Sequence, residues 1–296
     1  MKPPRNFSPV FEPGSGALPP TLPPPKPLLL IKDSFKLRTL LLFGAIAQLL
    51  LLSIFPYWIA IFPACLLIFH AVGTTVLQCF TTPSVADPSE NENTWMQSVV
   101  IGRSSAQIPS HYTGNYGSTP SAQPIVVFHL GASFNHPLGL VCPGGKEVGE
   151  YFQSMTDALD KRGDEFGLLG ASGFRGMNRE SNNMLLMVMY FRNVEGLRKF
   201  AHDKEHRAGW KWFSDFQAKG NHHIGLFHET FEVPAGNWET IYLDSPPTLL
   251  GNAKFTGLDG NDEWIWSSTL VDADHSAGPA SLKGMMDRMG RTKNLN

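Results

Sequence analysis

The residues best suited to chemistry lie in two histidine-rich stretches. The run His222–Val233 has the pattern of a strand, in which successive side chains face opposite sides, so His228 and Glu229 point to different faces. A second stretch places His202 and His206 four positions apart, on one face of a helix. Imidazoles and carboxylates are the common general bases. The candidate catalytic residues are therefore His206, His228 and Glu229.

Each of these candidates has a structural alternative. His202 has charged neighbours and fits a solvated surface equally well, whereas His206 turns toward Gly209 and Trp210 beside the apolar stripe of the helix. A buried unpaired carboxylate is costly, so Glu229 must have a donor or take part in catalysis. Of His228 and Glu229, one is expected to face the helices, which is the drier side. The other is expected to face a cavity on the opposite side of the sheet, where a base would act.

The pocket residues are expected around the same strand. The turn Pro234–Gly236 ends the strand and leads to a second apolar run. Trp238 and Tyr242 in that run, together with Trp210, are predicted to bind substrate, and Tyr242 is placed to donate to a developing oxyanion. The sequence has no Walker loop, no His-Glu-x-x-His and no Gly-x-Ser-x-Gly elbow. We therefore predict no metal ligand and no cofactor-binding residue.

Composition narrows the class of partner. The chain has 296 residues and a net charge of -2, so it has no basic field with which to hold nucleic acid. Its three cysteines cannot all pair, which indicates a reducing compartment. Phe, Trp and Met are frequent in the soluble part of the chain that follows the two apolar runs. Few polar candidate residues come together there. This pattern favours a lipophilic small-molecule substrate.

The N-terminal third is divided into three segments. Residues 1–36 are Pro-rich and are predicted to be a disordered tail. Residues 37–80 contain two apolar runs of nearly membrane-spanning length, predicted to be a transmembrane helical hairpin; a signal anchor followed by a buried helix is the alternative. Lys and Arg precede the hairpin and acidic residues follow it, which predicts a multi-pass protein of the endoplasmic reticulum membrane with its soluble domain in the cytosol. Residues 81–123 are predicted to be a linker.

Residues 124–255 have the α+β element order β-α-β-β-α-β, which is that of ferredoxin-like folds. The first and third strands are continuous apolar runs and are expected at the centre of the sheet, and the second helix, 194–219, is expected to break near Gly209. Two helices cover only one face of a sheet. A second copy of the chain is expected to cover the other, so we predict a homodimer. Residues 256–296 are predicted to be a partly disordered C-terminal extension.

Two motifs carry a resemblance to a known family. The segment His228–Tyr242 reads His-Glu-[ST]-[FY]-x-V-x-x-Gly-x-[WH]-Glu-x-[IV]-Tyr, and His202-x-x-x-His206-x-x-Gly209-Trp210 precedes it. With these motifs, residues 124–255 resemble the fungal monooxygenase-like family named after a fumagillin-pathway enzyme. The resemblance implies a dimeric α/β barrel of the antibiotic-biosynthesis monooxygenase type.

The resemblance also implies a reaction. Related barrels oxygenate without metal or flavin, by deprotonating an electron-rich substrate that then reacts with O₂, so no cofactor beyond O₂ is expected. The predicted function is a membrane-anchored monooxygenase that hydroxylates a terpenoid-like intermediate of fungal secondary metabolism. More distant relatives bind haem, which leaves open a haem-dependent lyase, similar to aldoxime dehydratases, or a haem-dependent oxygenase. A third alternative is a non-enzymatic dimeric binding module. Substrate identity and regiochemistry do not follow from the sequence.

Overall fold

The computed structural model describes residues 6–15, 18–19, 34–81, 95–110, 116–176, 184–258, 264–274 and 282–291. The helices are α1 (Leu37–Ile54), α2 (Tyr57–Ala60), α3 (Phe62–Phe80), α4 (Gly145–Phe166), α5 (Val194–Ala201), α6 (Lys204–Ala218) and α7 (Met285–Arg288). The strands are β1 (Gly14–Ser15), β2 (Val100–Ala106), β3 (Ile125–Phe134), β4 (Leu168–Gly176), β5 (Met184–Phe191), β6 (Ile224–Val233), β7 (Tyr242–Ser245), β8 (Lys254–Leu258), β9 (Trp264–Ser268) and β10 (Leu270–Asp272).

The main sheet has four antiparallel strands in the order β4-β5-β3-β6. Its two central strands, β3 and β5, are the continuous apolar runs that the sequence places at the centre. Such strands are stable where both faces are covered. The chain therefore has a mixed α/β fold, and its elements between 125 and 233 follow the predicted order, with the second helix in two pieces.

The break in the second helix lies at Asp203, and the prediction of a break near Gly209 is wrong. The Asp203 carboxylate caps α6 by accepting from the Glu205 N–H, as N-cap residues do. The Arg162 Nη2 donates to the same carboxylate at 2.7 Å and fixes it. Gly209 instead lies within α6 where a Cβ would come 3.4 Å from the Cβ of Tyr151, so it permits close packing of α6 on α4.

The two faces of the sheet are covered differently. The helices cover one face through a cluster that includes Val126, Met189 and Phe191. A second copy of the chain was expected to cover the opposite face, but part of that face is covered without one. There the chain covers itself: Val188 and Tyr190 pack in one cluster with buried side chains from β2 and from residues 238–253.

The segment predicted to be a transmembrane hairpin forms two helical stretches, Leu37–Ile54 and Tyr57–Phe80, long and apolar enough to cross a bilayer by length and composition. They are separated at Phe55, which is extended because Pro56 follows it. The Gln48 side chain donates to the carbonyl of Ala60 at 3.1 Å and ties the two stretches together.

Several parts predicted to be disordered or linking are ordered. In the tail, Phe7 is 4% exposed and packs against Val271 and Leu282, and β1 pairs with β9. In the predicted linker, β2 is paired on both sides, with β7 and β10. In the C-terminal extension, which was predicted to be partly disordered, β9 pairs in antiparallel with β8. These segments are ordered because their apolar side chains pack against residues that are far away in the sequence.

Candidate active site

A large cavity lies between the helices and the sheet, with a volume of about 2270 Å³. Ligand pockets usually have roughly 300–1,000 Å³, so this cavity holds a bulky molecule. Its sheet wall consists of the side chains that alternate toward the helices. These are Phe128, Leu130 and Ala132 of β3, Leu185, Met187 and Met189 of β5, and Leu226, His228 and Thr230 of β6. The cavity is therefore on the helix side, not on the opposite side where we expected it.

His206 lies on the helical wall of this cavity. The side chain is half-buried, and its ring meets that of Phe200 edge-on at 5.6 Å between centroids. Burial lowers the pKa of His206 below its ordinary value of 6.5, although a hydrogen bond to the backbone of Ala201 opposes the shift. Charge on His202 or His228 lowers that pKa further. A neutral imidazole has a free lone pair, so His206 is equipped to act as a base at neutral pH.

His228 lies on the sheet wall of the same cavity. It is paired in register with Leu130 of β3, and its ring is 5.6 Å from that of Phe128 between centroids. His206 and His228 therefore line one cavity from two different walls. The structure therefore brings together two of the three predicted catalytic residues, one from α6 and one from β6.

Glu229, the third, is on the other face. Its carboxylate lies 3.6 Å from Nδ1 of His129, and its side chain is 65% exposed. His129 and Glu229 are directly opposite each other in the register of β3 and β6, and the His129 ring also contacts that of Phe231. A carboxylate this exposed is hydrated, so it needs no donor within the protein. It lies on the opposite face of the sheet from the cavity.

The predicted substrate-binding residues are divided in the same way. Trp210 lines the cavity. Trp238 and Tyr242 lie in the cluster that covers the opposite face. The Trp238 indole donates to the carbonyl of Gln123 at 2.8 Å, and the Tyr242 hydroxyl accepts from the Gly251 N–H at 2.9 Å. Burial raises the pKa of Tyr242 far above its ordinary value, so this phenol stays protonated.

Thr230 and Tyr151 are among the cavity residues that were not candidates. Thr230 lines the cavity beside His228, and the strand alternation already placed it on that face. Tyr151 lines it from α4, with its ring 5.5 Å from that of Trp212; in the sequence it belongs to the apolar stripe of a helix and looks like core. Among the residues that the structure describes, no group of three or more His, Cys, Asp or Glu side chains is arranged to hold a metal ion.

Comparison with known proteins gives related sequences and more distant folds. Residues 125–250 match the family described as Monooxygenase af470-like. Monooxygenase af470 of Aspergillus fumigatus is 35% identical over 264 residues, which are 88% of this chain and 90% of that protein. Among solved structures, an aldoxime dehydratase, OxdRE, in complex with butyraldoxime has a TM-score of 0.37 and 17% identity, covering 51% of this chain and 39% of that one. SnoaB, a cofactor-independent oxygenase from Streptomyces nogalater, has a TM-score of 0.26 and 11% identity, covering 36% of this chain and 91% of that one. Structural similarities of this size assign no activity.

A mixed α/β domain that encloses an apolar cavity with two facing imidazoles has the site of a small-molecule enzyme. The sequence comparison is more specific, because identity and coverage are both high. The chain belongs to the Monooxygenase af470-like family. It is an oxidoreductase of the monooxygenase class, which confirms the family resemblance carried by the two motifs and sets aside the non-enzymatic alternative.

Proposed function

We propose that this chain is a membrane-anchored monooxygenase that hydroxylates an apolar, terpenoid-like intermediate of fungal secondary metabolism. The observation that carries the proposal is that His206 and His228 face one large apolar cavity from its helical and its sheet wall. An apolar wall with few polar groups binds a lipophilic molecule and orients it through those groups.

In this proposal His206 is the general base, because burial keeps it neutral. It removes a proton from an acidic C–H or O–H group of the substrate, and the electron-rich anion then reacts with O₂. One oxygen atom stays in the product and the other leaves as water. Without a redox cofactor the substrate supplies all four electrons, so the carbon that gains oxygen also loses two hydrogens: its hydroperoxide loses water and the CH₂ group becomes a carbonyl (CH₂ + O₂ → C=O + H₂O). His228 orients the substrate or serves as a second base, and Trp210 packs against the substrate.

A haem-dependent lyase or oxygenase is the second candidate. The observation that favours it is the same neutral, half-buried imidazole of His206 on an apolar wall, because such a group can be the axial ligand of haem iron. His228 is the alternative ligand. Bound haem would supply the oxidising or dehydrating chemistry. Absorption in the Soret region of the purified full-length chain distinguishes this candidate from the first.

The membrane anchor of the proposal is the hairpin of α1 to α3, placed in the endoplasmic reticulum with the catalytic domain in the cytosol. Two features support it. The apolar helices have a mean hydropathy of 2.0 over a spanning window. In addition, β1 precedes the hairpin and pairs with β9, which follows it. Since those strands must be on one side of a membrane, the hairpin crosses it an even number of times.

Glycosylation in microsomes tests this topology. The only native acceptor site is Asn6-Phe7-Ser8, in the tail, and Trp95→Thr creates a second at Asn93, on the domain side. We expect neither site to be glycosylated. A glycan on both would place the domain in the lumen, whereas a glycan on one alone would mean an odd number of crossings.

We further propose that the domain is a ferredoxin-like half of a dimeric α/β barrel. The support is the part of the outer sheet face that the chain does not cover, where Phe227 and Phe231 are 40% and 47% exposed. A second copy would bury these rings. Sedimentation of the full-length chain in detergent should show a dimer, and Phe231→Lys should make it a monomer; a wild-type monomer contradicts the proposal.

The function itself is tested by deleting the encoding gene in its host and profiling metabolites. We expect an apolar intermediate that lacks one oxygen atom to accumulate. Re-expression of the wild-type chain or of Glu229→Gln should remove it, and re-expression of His206→Gln should not. An unchanged metabolite profile after deletion would refute the proposed function.

A further inference from the structure

The start of the hairpin and the cavity are contiguous. Ser34 and Phe35 line the cavity, and α1 begins at Leu37. The Phe35 ring also packs edge-on against that of Phe43, one of the first residues of this helix, at 6.3 Å between centroids. Part of the cavity lining therefore directly precedes the first apolar helix of the chain.

Most of the charged residues that line the cavity are basic. Five basic residues and one acidic residue line the cavity: Lys146, Arg198, Lys204, Arg207 and Lys211, with Asp160. The three lysines form ion pairs along their helices. Within the described part of the chain, Arg198 and Arg207 have no ion-pair partner and are exposed. Arginines without partners at a membrane-proximal surface are attracted to anionic lipid headgroups.

Large apolar side chains are also exposed on the lining of this cavity. Val141 is 66% exposed and Trp210 is 61% exposed, and both line the cavity. Tryptophan is enriched at the level of the headgroups in membrane proteins, where its ring is apolar and its N–H reaches water. Exposed apolar side chains on the same surface as basic side chains are typical of proteins that bind in a membrane interface.

We propose that this part of the cavity lining is a membrane-docking surface. The mouth, defined as Val141, Arg198, Arg207 and Trp210, lies on an anionic leaflet so that a lipophilic substrate passes from the bilayer into the cavity without crossing water. This inference rests on the membrane anchor of the proposed function. An acidic protein partner would also fit the arginines, but continuity with the start of α1 favours the bilayer.

Site-specific photocrosslinking tests the docking. The full-length chain carries benzoylphenylalanine at Val141 and is reconstituted into phosphatidylcholine vesicles with phosphatidylserine. Leu243 of β7 is the matched control, since it is 60% exposed but does not line the cavity. Leu49 of α1, which is 65% exposed, reports on the anchor. We expect lipid adducts at positions 49 and 141 and several-fold fewer at 243.

Charge is tested with a matched pair of double variants in the chain labelled at Val141. Arg198→Gln with Arg207→Gln should reduce lipid adducts several-fold, and omission of phosphatidylserine should do the same. Lys161→Gln with Arg291→Gln removes equal charge from exposed sites that do not line the cavity. This control should leave the adducts unchanged.

The possible outcomes distinguish failure of the docking surface from failure of the membrane anchor. Adducts at 49 but not at 141 leave the anchor intact and overturn the docking surface. Adducts at neither position overturn both. Equal adducts at 141 and 243, or no response to the loss of Arg198 and Arg207, overturn the inference. A protein adduct at 141 in native membranes, in place of lipid, would assign the mouth to a partner and also overturn it.

Discussion

The two faces of the central sheet carry similar residue types and use them differently. Toward the helices, His228 lies on an apolar wall across a cavity from His206. Away from the helices, His129 is paired with the Glu229 carboxylate at 3.6 Å. One imidazole is available to a ligand, whereas the other already has its partner.

This difference separates chemistry from support. Neighbouring residues of one strand, His228 and Glu229, belong to different environments because strand residues alternate. The chain itself covers the face with Tyr242. The Trp238 indole and the Tyr242 hydroxyl on that face each have a hydrogen-bond partner within the protein. A face whose polar groups are satisfied contributes stability, and a face whose imidazoles line a cavity contributes reactivity.

The largest effect should come from the imidazoles of the cavity. Replacing His206 by Gln removes the base, so we expect kcat/KM to fall by roughly 10²–10⁴-fold. His228→Gln should also reduce turnover, while Glu229→Gln should leave it nearly unchanged. Turnover of the full-length chain is measured beside its melting temperature, which should hardly move. A fully active His206→Gln enzyme would break the comparison.

The next effect concerns stability on the opposite face. Tyr242→Phe removes the acceptor of the buried Gly251 N–H, and we expect the free energy of unfolding to fall by about 1–3 kcal/mol. Activity per folded molecule should stay the same. Tyr151→Phe, in the cavity wall, is the control and should leave stability unchanged. Denaturant unfolding in detergent measures both; equal losses would mean that the faces do not differ.

The pH dependence should reveal the burial of His206. Because its pKa lies below 6.5, activity should persist below pH 6.5 and decline only near the lowered pKa. The folded state binds this proton more weakly than the unfolded chain, so the stabilisation is complete above 6.5 and is lost as pH falls from there toward the folded pKa. His202→Gln removes a charge that lowers this pKa and should move the acid limb of kcat/KM to higher pH. A limb already centred at 6.5 in the wild type would contradict the burial argument.

The smallest effect is expected for the exposed pair on the outer face. An ion pair in solvent contributes about 0.2–1 kcal/mol, so Glu229→Gln should change the free energy of unfolding by no more than that. High salt should reduce the difference further. A loss beyond this range together with dissociation of the dimer would sharpen the comparison, since it would mean that a second copy buries His129 and Glu229.

The sequence predicts the strands better than the spaces between them. Strand β5 has the predicted bounds, Met184–Phe191, because an unbroken apolar run bounded by polar turns has one stable conformation in a covered sheet. The break of the second helix was misplaced because glycine marks both flexibility and close packing. Gly209 serves packing, and the break lies at Asp203, whose carboxylate competes for a backbone N–H.

The site was predicted only in part. Alternation fixes that His228 and Glu229 face opposite sides, but it does not say which side has room for a ligand. That is decided by long-range contacts: residues 238–253 fold over the outer face and take Trp238 and Tyr242 with them. The helices remain apart from the sheet at His206. Neither event has a local signal in the sequence.

The pairing of β1 with β9 has a consequence for how the protein is made. Gly14 lies opposite Trp266, so the first strand leaves the ribosome long before its partner exists. The two apolar helical stretches are synthesised between these strands. Contacts so distant in sequence are slow to form, and this sheet closes only after Trp266 has been synthesised. The time at which the N-terminal tail becomes resistant to protease would then report when the final step of folding occurs.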